Sequence, residues 1–106
     1  MQQTANDRRG LVMVTDPDLL DTVLRLAAAA GCQVHRPFDA GQARPAWPHA
    51  PLVLLDAEAS RQCGKAGLPR RPGVVVAVRG EPPPTVWRGA VEVGAEHVIS
   101  LPEAEG

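Results

Sequence analysis

The sequence predicts an α/β domain in which helices cover both faces of a five-stranded parallel sheet. Apolar runs typical of strands alternate with segments that carry helix signals, in the order β-α-β-α-β-α-β-α-β over 106 residues. This alternation is typical of parallel strands joined by right-handed crossovers. The third and fourth strands contain the consecutive apolar runs VLL and VVVAV, which indicate strands that are buried on both faces.

The first half of the chain predicts two strands with a helix between them. LVMVT at 11–15 is the first strand. Asp16 is the expected N-cap of the helix, Pro17 occupies its first position and Gly31 ends it. CQVHR at 32–36 is a second, shorter strand.

The second half continues the alternation. The predicted elements are a helical turn or two at 38–47, a strand at 51–55, a weak helix or loop at 57–72, a strand at 73–78, a helix at 85–95 and a strand at 97–101. In the last helix, Val86, Trp87, Ala90 and Val91 are predicted to share one face. The whole order predicts a flavodoxin-like, doubly wound sheet with strand order 2-1-3-4-5.

The end of the chain leaves one face of this sheet short of cover. We expect a disordered or extended segment at 1–10, the α/β domain at 11–102 and a tail at 103–106. A sheet of this type normally carries a fifth helix after its last strand, whereas only PEAEG follows. We therefore expect strands three to five to expose an apolar patch of roughly a few hundred Å², covered by a longer chain or by another subunit.

Composition argues against a nucleic-acid partner. The net charge is −1, and the arginines are dispersed rather than clustered in a stripe. Nucleic-acid binders normally combine a basic stripe with interleaved aromatic residues. Aromatic residues are scarce here, with Trp47, Trp87, Phe38 and no tyrosine. The core is therefore predicted to consist of Val, Leu and Ala.

The sequence also argues against membrane insertion, secretion and a cysteine-based metal site. No apolar run approaches the roughly 20 residues of a membrane-spanning helix, and the initial MQQTANDRRG is too polar for a signal peptide. Cys32 and Cys63 lack metal-ligand spacing. We expect a cytoplasmic protein with reduced thiols and no direct membrane insertion.

Three stretches match landmarks of a known family in place and order: LVMVTDPDLL, PLVLLD and GAEHVISLP. Their arrangement resembles the receiver domain of bacterial response regulators, which has a CheY-like fold. More narrowly, DPDLLDTVLRLAAAAG, PLVLLDAEA, GLPRRPGVVV and GAEHVISLPEAE resemble the amino-terminal domain of actinobacterial septum site-determining proteins, relatives of the CpaE/TadZ pilus-localisation proteins.

The narrower resemblance implies a partner domain. In that family a receiver-like domain precedes a MinD-type ATPase. These 106 residues contain no Gly-rich phosphate-binding loop with its lysine. Any such ATPase is therefore expected beyond this stretch of chain.

The receiver resemblance also implies a site at the carboxyl ends of the strands. A working receiver holds Mg²⁺ with two acidic residues after strand one and a phosphoacceptor aspartate after strand three. Asp56 occupies the acceptor position and Asp16 one acidic position. Thr15 occupies the other, with Asp18 close enough in sequence to reach inward.

The remaining switch positions lack the usual chemistry. The hydroxyl position after strand four falls on Ala77 or Val78, and the lysine position after strand five is Leu101. The aromatic position three residues earlier is Val98. Loss of the lysine removes a charge-assisted contact worth about 1.5–3 kcal/mol. We therefore expect no enzymatic activity and no cofactor.

Other interpretations of the two aspartates remain open. Asp16 and Asp56 are both explained as helix caps that need no metal. Alternatively, Asp56 accepts a phosphoryl group with Asp16 and Mg²⁺, as in a true receiver. A third hypothesis, a flavin or small-ligand site of flavodoxin type, lacks a phosphate-cradling loop, since TDPDLL offers acidic groups and a proline.

The leading hypothesis is a non-catalytic receiver-like interaction domain. It would self-associate or bind a protein partner, and so help to position an attached ATPase at a division or secretion site. The expected surface comprises Trp87, Arg88 and Val91 of the last helix together with His97. Trp87 is the anchor, because Trp is enriched at binding hot spots. The alternative for Trp87 is core packing.

Overall fold

The computed structural model describes residues 9–101. The strands within them are β1 (Gly10–Met13), β2 (Val34–His35), β3 (Val53–Leu55), β4 (Val74–Arg79) and β5 (His97–Leu101). The helices are α1 (Pro17–Ala29), α2 (Ala40–Ala43), α3 (Ala57–Lys65) and α4 (Pro84–Val93). All neighbouring strands pair in parallel, in the order β2-β1-β3-β4-β5. The predicted fold class and strand order are confirmed. The tail predicted at 103–106 and most of the segment predicted at 1–10 lie outside the described residues.

The helices divide unequally between the two faces of the sheet. Among the described residues, α1 is the one helix on its face of the sheet, where Leu19 and Val23 pack against Val12, Val14 and Ala77. On the other face α2, α3 and α4 cover the larger part of the core. No helix within residues 9–101 is long and apolar enough to cross a lipid bilayer.

Several elements differ from their predicted extents, among them β2, which has two residues where five were predicted, and contacts with neighbouring elements explain two of these differences. β1 ends at Met13 rather than at Thr15, because the Thr15 N–H donates to the Asp56 carboxylate at 2.8 Å. α3 is a regular helix over Ala57–Lys65, within the segment where a weak helix or loop was predicted. Gly64 lies within α3 at its approach to α4, where a Cβ would stand 3.2 Å from a carboxylate oxygen of Glu92. The glycine therefore permits close helix packing.

The prediction that four apolar residues share one face of α4 is wrong. Val86, Ala90 and Val93 are buried, whereas Trp87 is 51% exposed and Val91 65% exposed. A helix advances 100° per residue, so residues spaced by four and then three positions lie on one buried face. The side chains between them, including Trp87 and Val91, therefore point outward. Core packing as the alternative for Trp87 is therefore also wrong.

Trp47 is the largest fully buried side chain, and the predicted core composition did not include it. Its indole Nε1–H donates to the Pro69 carbonyl at 2.6 Å. The guanidinium of Arg71 donates to the Trp47 carbonyl from the same loop. One aromatic residue thus joins the segment after α2 to the loop that leads into β4.

The face that carries α1 is only partly covered in the part of the chain described. Leu54 and Val75 are half-buried there, and Leu52 is 45% exposed. A groove of about 890 Å³ runs between α1 and the strands, with Leu26 of α1 in its lining. The unequal division of the helices leaves this apolar surface open.

Candidate functional site

The candidate site lies at the carboxyl ends of β1, β3 and β4. Asp56 directly follows β3, and Thr15 and Asp16 follow β1. Arg79 is the last residue of β4. Because the central strands are parallel neighbours, these four side chains meet at one edge of the sheet.

Asp56 is 5% exposed, and four hydrogen bonds engage the two oxygens of its carboxylate. Oδ2 accepts from the Thr15 N–H and the Thr15 hydroxyl, both at 2.8 Å, and from the Asp16 N–H at 3.0 Å. Oδ1 accepts from the Ala59 N–H at 2.9 Å and so caps α3. Asp56 therefore joins the end of β3 to the loop after β1.

Asp16 combines the cap of α1 with an ion pair. Its Oδ1 accepts from the Asp18 N–H at 3.0 Å and from the Leu19 N–H at 3.4 Å. Its Oδ2 accepts from Arg79 Nη2 at 2.9 Å. Partial burial raises the pKa of Asp16, but the two amide hydrogen bonds and Arg79 together lower it below its ordinary value of 3.8.

Arg79 is the residue at this site that the sequence analysis missed. Besides pairing with Asp16, its Nη1 lies 3.7 Å from Asp18 Oδ2. One feature of the sequence could have identified it. Arg79 is a basic residue at the carboxyl end of a buried strand, and acidic residues stand at the carboxyl ends of two other strands of the same predicted sheet. Arg79 supplies positive charge beside the acidic side chains, where a receiver holds a divalent cation.

The acidic groups do not have the arrangement of a metal site. Within residues 9–101, no group of three or more His, Cys, Asp or Glu side chains is placed to hold a metal ion. The Asp56 oxygens face hydrogen-bond donors, and one Asp16 oxygen faces a guanidinium. These residues therefore do not fit Mg²⁺, which requires several oxygen ligands in near-octahedral geometry.

The other switch positions place apolar side chains around the site. Ala77 is fully buried and Val78 nearly so. Leu101 packs with the cluster beneath α1, and Val98 packs on the opposite face beside Val86 of α4. Alanine, valine and leucine carry neither the hydroxyl nor the ammonium group that would contact a phosphoryl group.

The predicted interaction residues divide between two faces. Trp87, Arg88 and Val91 are all exposed on α4. His97 is also exposed, but it precedes Val98 on β5, whose side chain lies on the α4 side. Because side chains alternate along a strand, His97 belongs to the opposite, partly covered face.

Comparison with known proteins establishes the family. A family model described as Rv3660c-like, CheY-like N-terminal domain matches residues 13–106. The chain belongs to this family. Two proteins of Mycobacterium tuberculosis, the uncharacterized proteins Rv3660c of strain H37Rv and MT3760 of strain CDC 1551, are each 42% identical to it over 95 residues. The alignments cover 89% of this chain and 27% of each relative, so the chain spans about a quarter of the length of these curated relatives.

Solved receiver domains share the CheY-like fold at low identity. A CheY-like response regulator receiver domain from Methanospirillum hungatei JF-1 superposes with a TM-score of 0.54 at 19% identity, covering 87% of this chain and 80% of that one. FixJ-N superposes with a TM-score of 0.60 at 15% identity, covering 99% and 86%. These similarities establish the fold, and the chemistry of the site must be argued from its own residues.

The lowered pKa of Asp16 predicts a pH-dependent stability difference. Because its pKa is lower in the folded chain than in the unfolded one, charged Asp16 stabilises the fold above pH 3.8 and this contribution is lost as the pH falls through the folded pKa. Asp16→Asn keeps a capping oxygen but loses the charge that faces Arg79. We expect it to cost about 0.5–1 kcal/mol at neutral pH, because the pair is partly exposed.

Urea denaturation at several pH values measures this difference. The deficit of Asp16→Asn should shrink as the pH falls below 3.8 and should also shrink at high salt. Arg79→Met provides the matched control, since it should show a similar neutral-pH deficit from the other side of the pair. A deficit that is constant from pH 3 to pH 7 would contradict the assignment.

Proposed function

We propose that this CheY-like domain is a non-catalytic module for protein–protein interaction or self-association. The observation that carries the proposal is the state of Asp56, whose two oxygens accept four hydrogen bonds from within the domain. The carboxylate is used to join β1, β3 and α3. A phosphoacceptor needs an oxygen that is free to attack an incoming phosphoryl group.

The neighbouring residues also oppose phosphoryl transfer. Attack through Oδ2 would break three hydrogen bonds, and attack through Oδ1 would remove the cap of α3. Arg79 already pairs with Asp16 beside Asp56, so part of the local negative charge is offset without a metal cation. Leu101 and Ala77 offer nothing that would bind the transferred group. We therefore propose that the domain needs no cofactor and has no enzymatic activity.

Interaction with protein is supported by the exposed surface of α4. Trp87 and Val91 lie four residues apart on one helix face and are 51% and 65% exposed. Exposed tryptophan of this kind is enriched at binding hot spots, and the adjacent Arg88 adds a polar rim. The balanced charge gives no support for a nucleic-acid partner.

The setting of the domain is proposed from the resemblance of its sequence. The stretches shared with septum site-determining and CpaE/TadZ-like proteins favour a cytoplasmic role beside a MinD-type ATPase, which the domain would help to position at a septum or secretion site. The greater length of the curated relatives leaves room for such a domain in them.

Intact-mass measurement after incubation with acetyl phosphate and Mg²⁺ tests the non-catalytic assignment. We expect no gain of a phosphoryl group, because Asp56 is held by donors and lacks a metal site. An active receiver domain treated in parallel controls for the donor, and Asp56→Asn controls for modification elsewhere. A stable gain that Asp56→Asn abolishes would overturn the proposal and establish the phosphoacceptor alternative.

A further inference from the structure

A small pocket lies between the β1–β2 pair and the turn that follows α2. Its volume is about 60 Å³, and its lining comprises Arg9, Leu11, His35, Ala46, His49 and Ala50. The two apolar residues Leu11 and Ala50 are buried, whereas Arg9 and His49 are exposed and His35 is half-buried. The pocket therefore has an apolar floor and a basic rim, and it shares no residue with the candidate site around Asp56.

The pairing of β1 with β2 brings two of the basic side chains together. Leu11 is the partner of His35 in the parallel register. Val34 packs with the cluster beneath α1, so the next side chain along β2, His35, lies on the opposite face of the sheet. Arg9 precedes Leu11 by two residues and borders both this pocket and the groove beside α1. Residues from both strands thus meet at one end of the β1–β2 pair.

The third basic side chain, that of His49, comes from a turn that is fixed by its own packing. The N–H groups of His49 and Ala50 both donate to the Ala46 carbonyl at 3.0 Å. Trp47, in the same turn, is fully buried and donates to the Pro69 carbonyl. His49 is therefore presented to the pocket by an ordered segment of backbone.

The charge of the pocket has one sign. Its lining contains no carboxylate. The ion pairs among residues 9–101 involve Arg25, Arg61 and Arg79, and none of the three basic residues of the pocket. A guanidinium and a protonated imidazole offer hydrogen-bond donors and no acceptor, and arginine is the residue most suited to oxyanions. An anion thus fits the pocket, whereas a metal cation would meet the charge of Arg9.

We propose that Arg9, His35 and His49 form a binding site for a small oxyanion, such as a phosphate or sulfate group. The volume of about 60 Å³ is roughly twice that of one water molecule in the liquid. The pocket therefore accommodates the oxyanion itself but not a nucleotide or a flavin. The inference goes beyond the proposed function, because it gives the domain a ligand site in which Asp56 takes no part.

Proton NMR of the three histidines tests the site, with sulfate as the probe. Sulfate stays a dianion between pH 5.5 and pH 8, so a pH dependence of its binding comes from the protein. At constant ionic strength against chloride, we expect sulfate to shift the imidazole signals of His35 and His49 saturably. His97 should not shift, since it lies on β5, at the opposite edge of the sheet from β2. Binding should be tighter at pH 5.5, because histidine gains positive charge as the pH falls.

Replacement of the arginine tests its part in the site. Arg9→Gln is expected to weaken sulfate binding about tenfold or more, because it removes a charged donor. Arg25→Gln is the matched control, since Arg25 is an exposed arginine that pairs with Asp21 on α1, and it should leave the affinity unchanged. The inference is overturned if no saturable shift is seen, if His97 shifts as much as the other two, or if Arg9→Gln binds as well as wild type. It is also overturned if Zn²⁺ alone shifts His35 and His49 while sulfate does not, because the site would then be one for a cation.

A comparison of inorganic phosphate with glycerol 3-phosphate at pH 8 distinguishes the sources of the oxyanion. Tighter binding of the ester supports a site for the phosphate group of a larger ligand, and equal or weaker binding supports a site for the free ion. These measurements concern reversible binding, whereas the acetyl phosphate experiment detects covalent modification. Failure of this inference is therefore distinguishable from failure of the proposed function.

Discussion

Replacing Trp47 with alanine is expected to lower the free energy of unfolding by about 3–5 kcal/mol. The side chain is fully buried, and its removal leaves a cavity between α2, β1 and β3. It also removes the hydrogen bond to the Pro69 carbonyl, which positions the loop before β4. A loss of this size is a large fraction of the stability of a small domain.

Urea denaturation followed by circular dichroism measures the effect. Trp87→Ala is the matched control, because the same substitution at a half-exposed helix position should change stability by less than about 0.5 kcal/mol. Trp47→Phe covers the case in which the alanine variant does not fold. It retains an aromatic ring but not the Nε1–H, so a loss of about 1–2 kcal/mol is expected. Equal losses at the two tryptophans would contradict the assigned core.

Replacing Asp56 with alanine is expected to cost about 2–4 kcal/mol of stability. The substitution removes the cap of α3 and three further hydrogen bonds to the loop after β1. The donors left behind lie next to a buried position, so water replaces the carboxylate only partly. If the carboxylate were instead kept free for chemistry, its removal would cost little stability. Functional side chains are commonly retained at the expense of stability.

Asp39→Ala provides the comparison for this experiment. Asp39 caps α2 through one hydrogen bond to the Gln42 N–H at 2.9 Å, and it is exposed. Its loss should cost about 1 kcal/mol, the value of a single cap. Thermal or urea denaturation of both variants under identical conditions gives the difference. If Asp56→Ala costs no more than Asp39→Ala, the long-range hydrogen bonds of Asp56 contribute nothing and its structural role is refuted.

Together these experiments distinguish two roles for one aspartate. A structural Asp56 predicts a large stability loss in Asp56→Ala and no phosphoryl gain in the wild type. A receiver-type Asp56 predicts the reverse on both measurements. The two measurements are independent, since one concerns folding and the other concerns attack on a phosphoryl donor.

The fold followed from local features of the sequence. Strand and helix alternation predicts the parallel sheet and its order, because crossover connections allow few other arrangements. Asp16 was predicted to cap α1, and it does so through bonds to residues two and three positions along the chain. Gly94 ends α4 at a φ of +74°, where glycine is favoured. Such signals depend on neighbours in sequence, so they are visible without a structure.

The character of the site depended on contacts between distant residues. The sequence by itself determined which carboxylates stand at the ends of β1 and β3, and that hydroxyl and lysine are missing from the expected positions. Only the tertiary structure decided that Asp56 accepts from Thr15, that Arg79 pairs with Asp16 and that Trp47 is buried under the 66–72 loop. These pairs are separated by 41, 63 and 22 residues. Hydrogen bonds and burial at such separations arise from packing, which no local pattern of residues encodes.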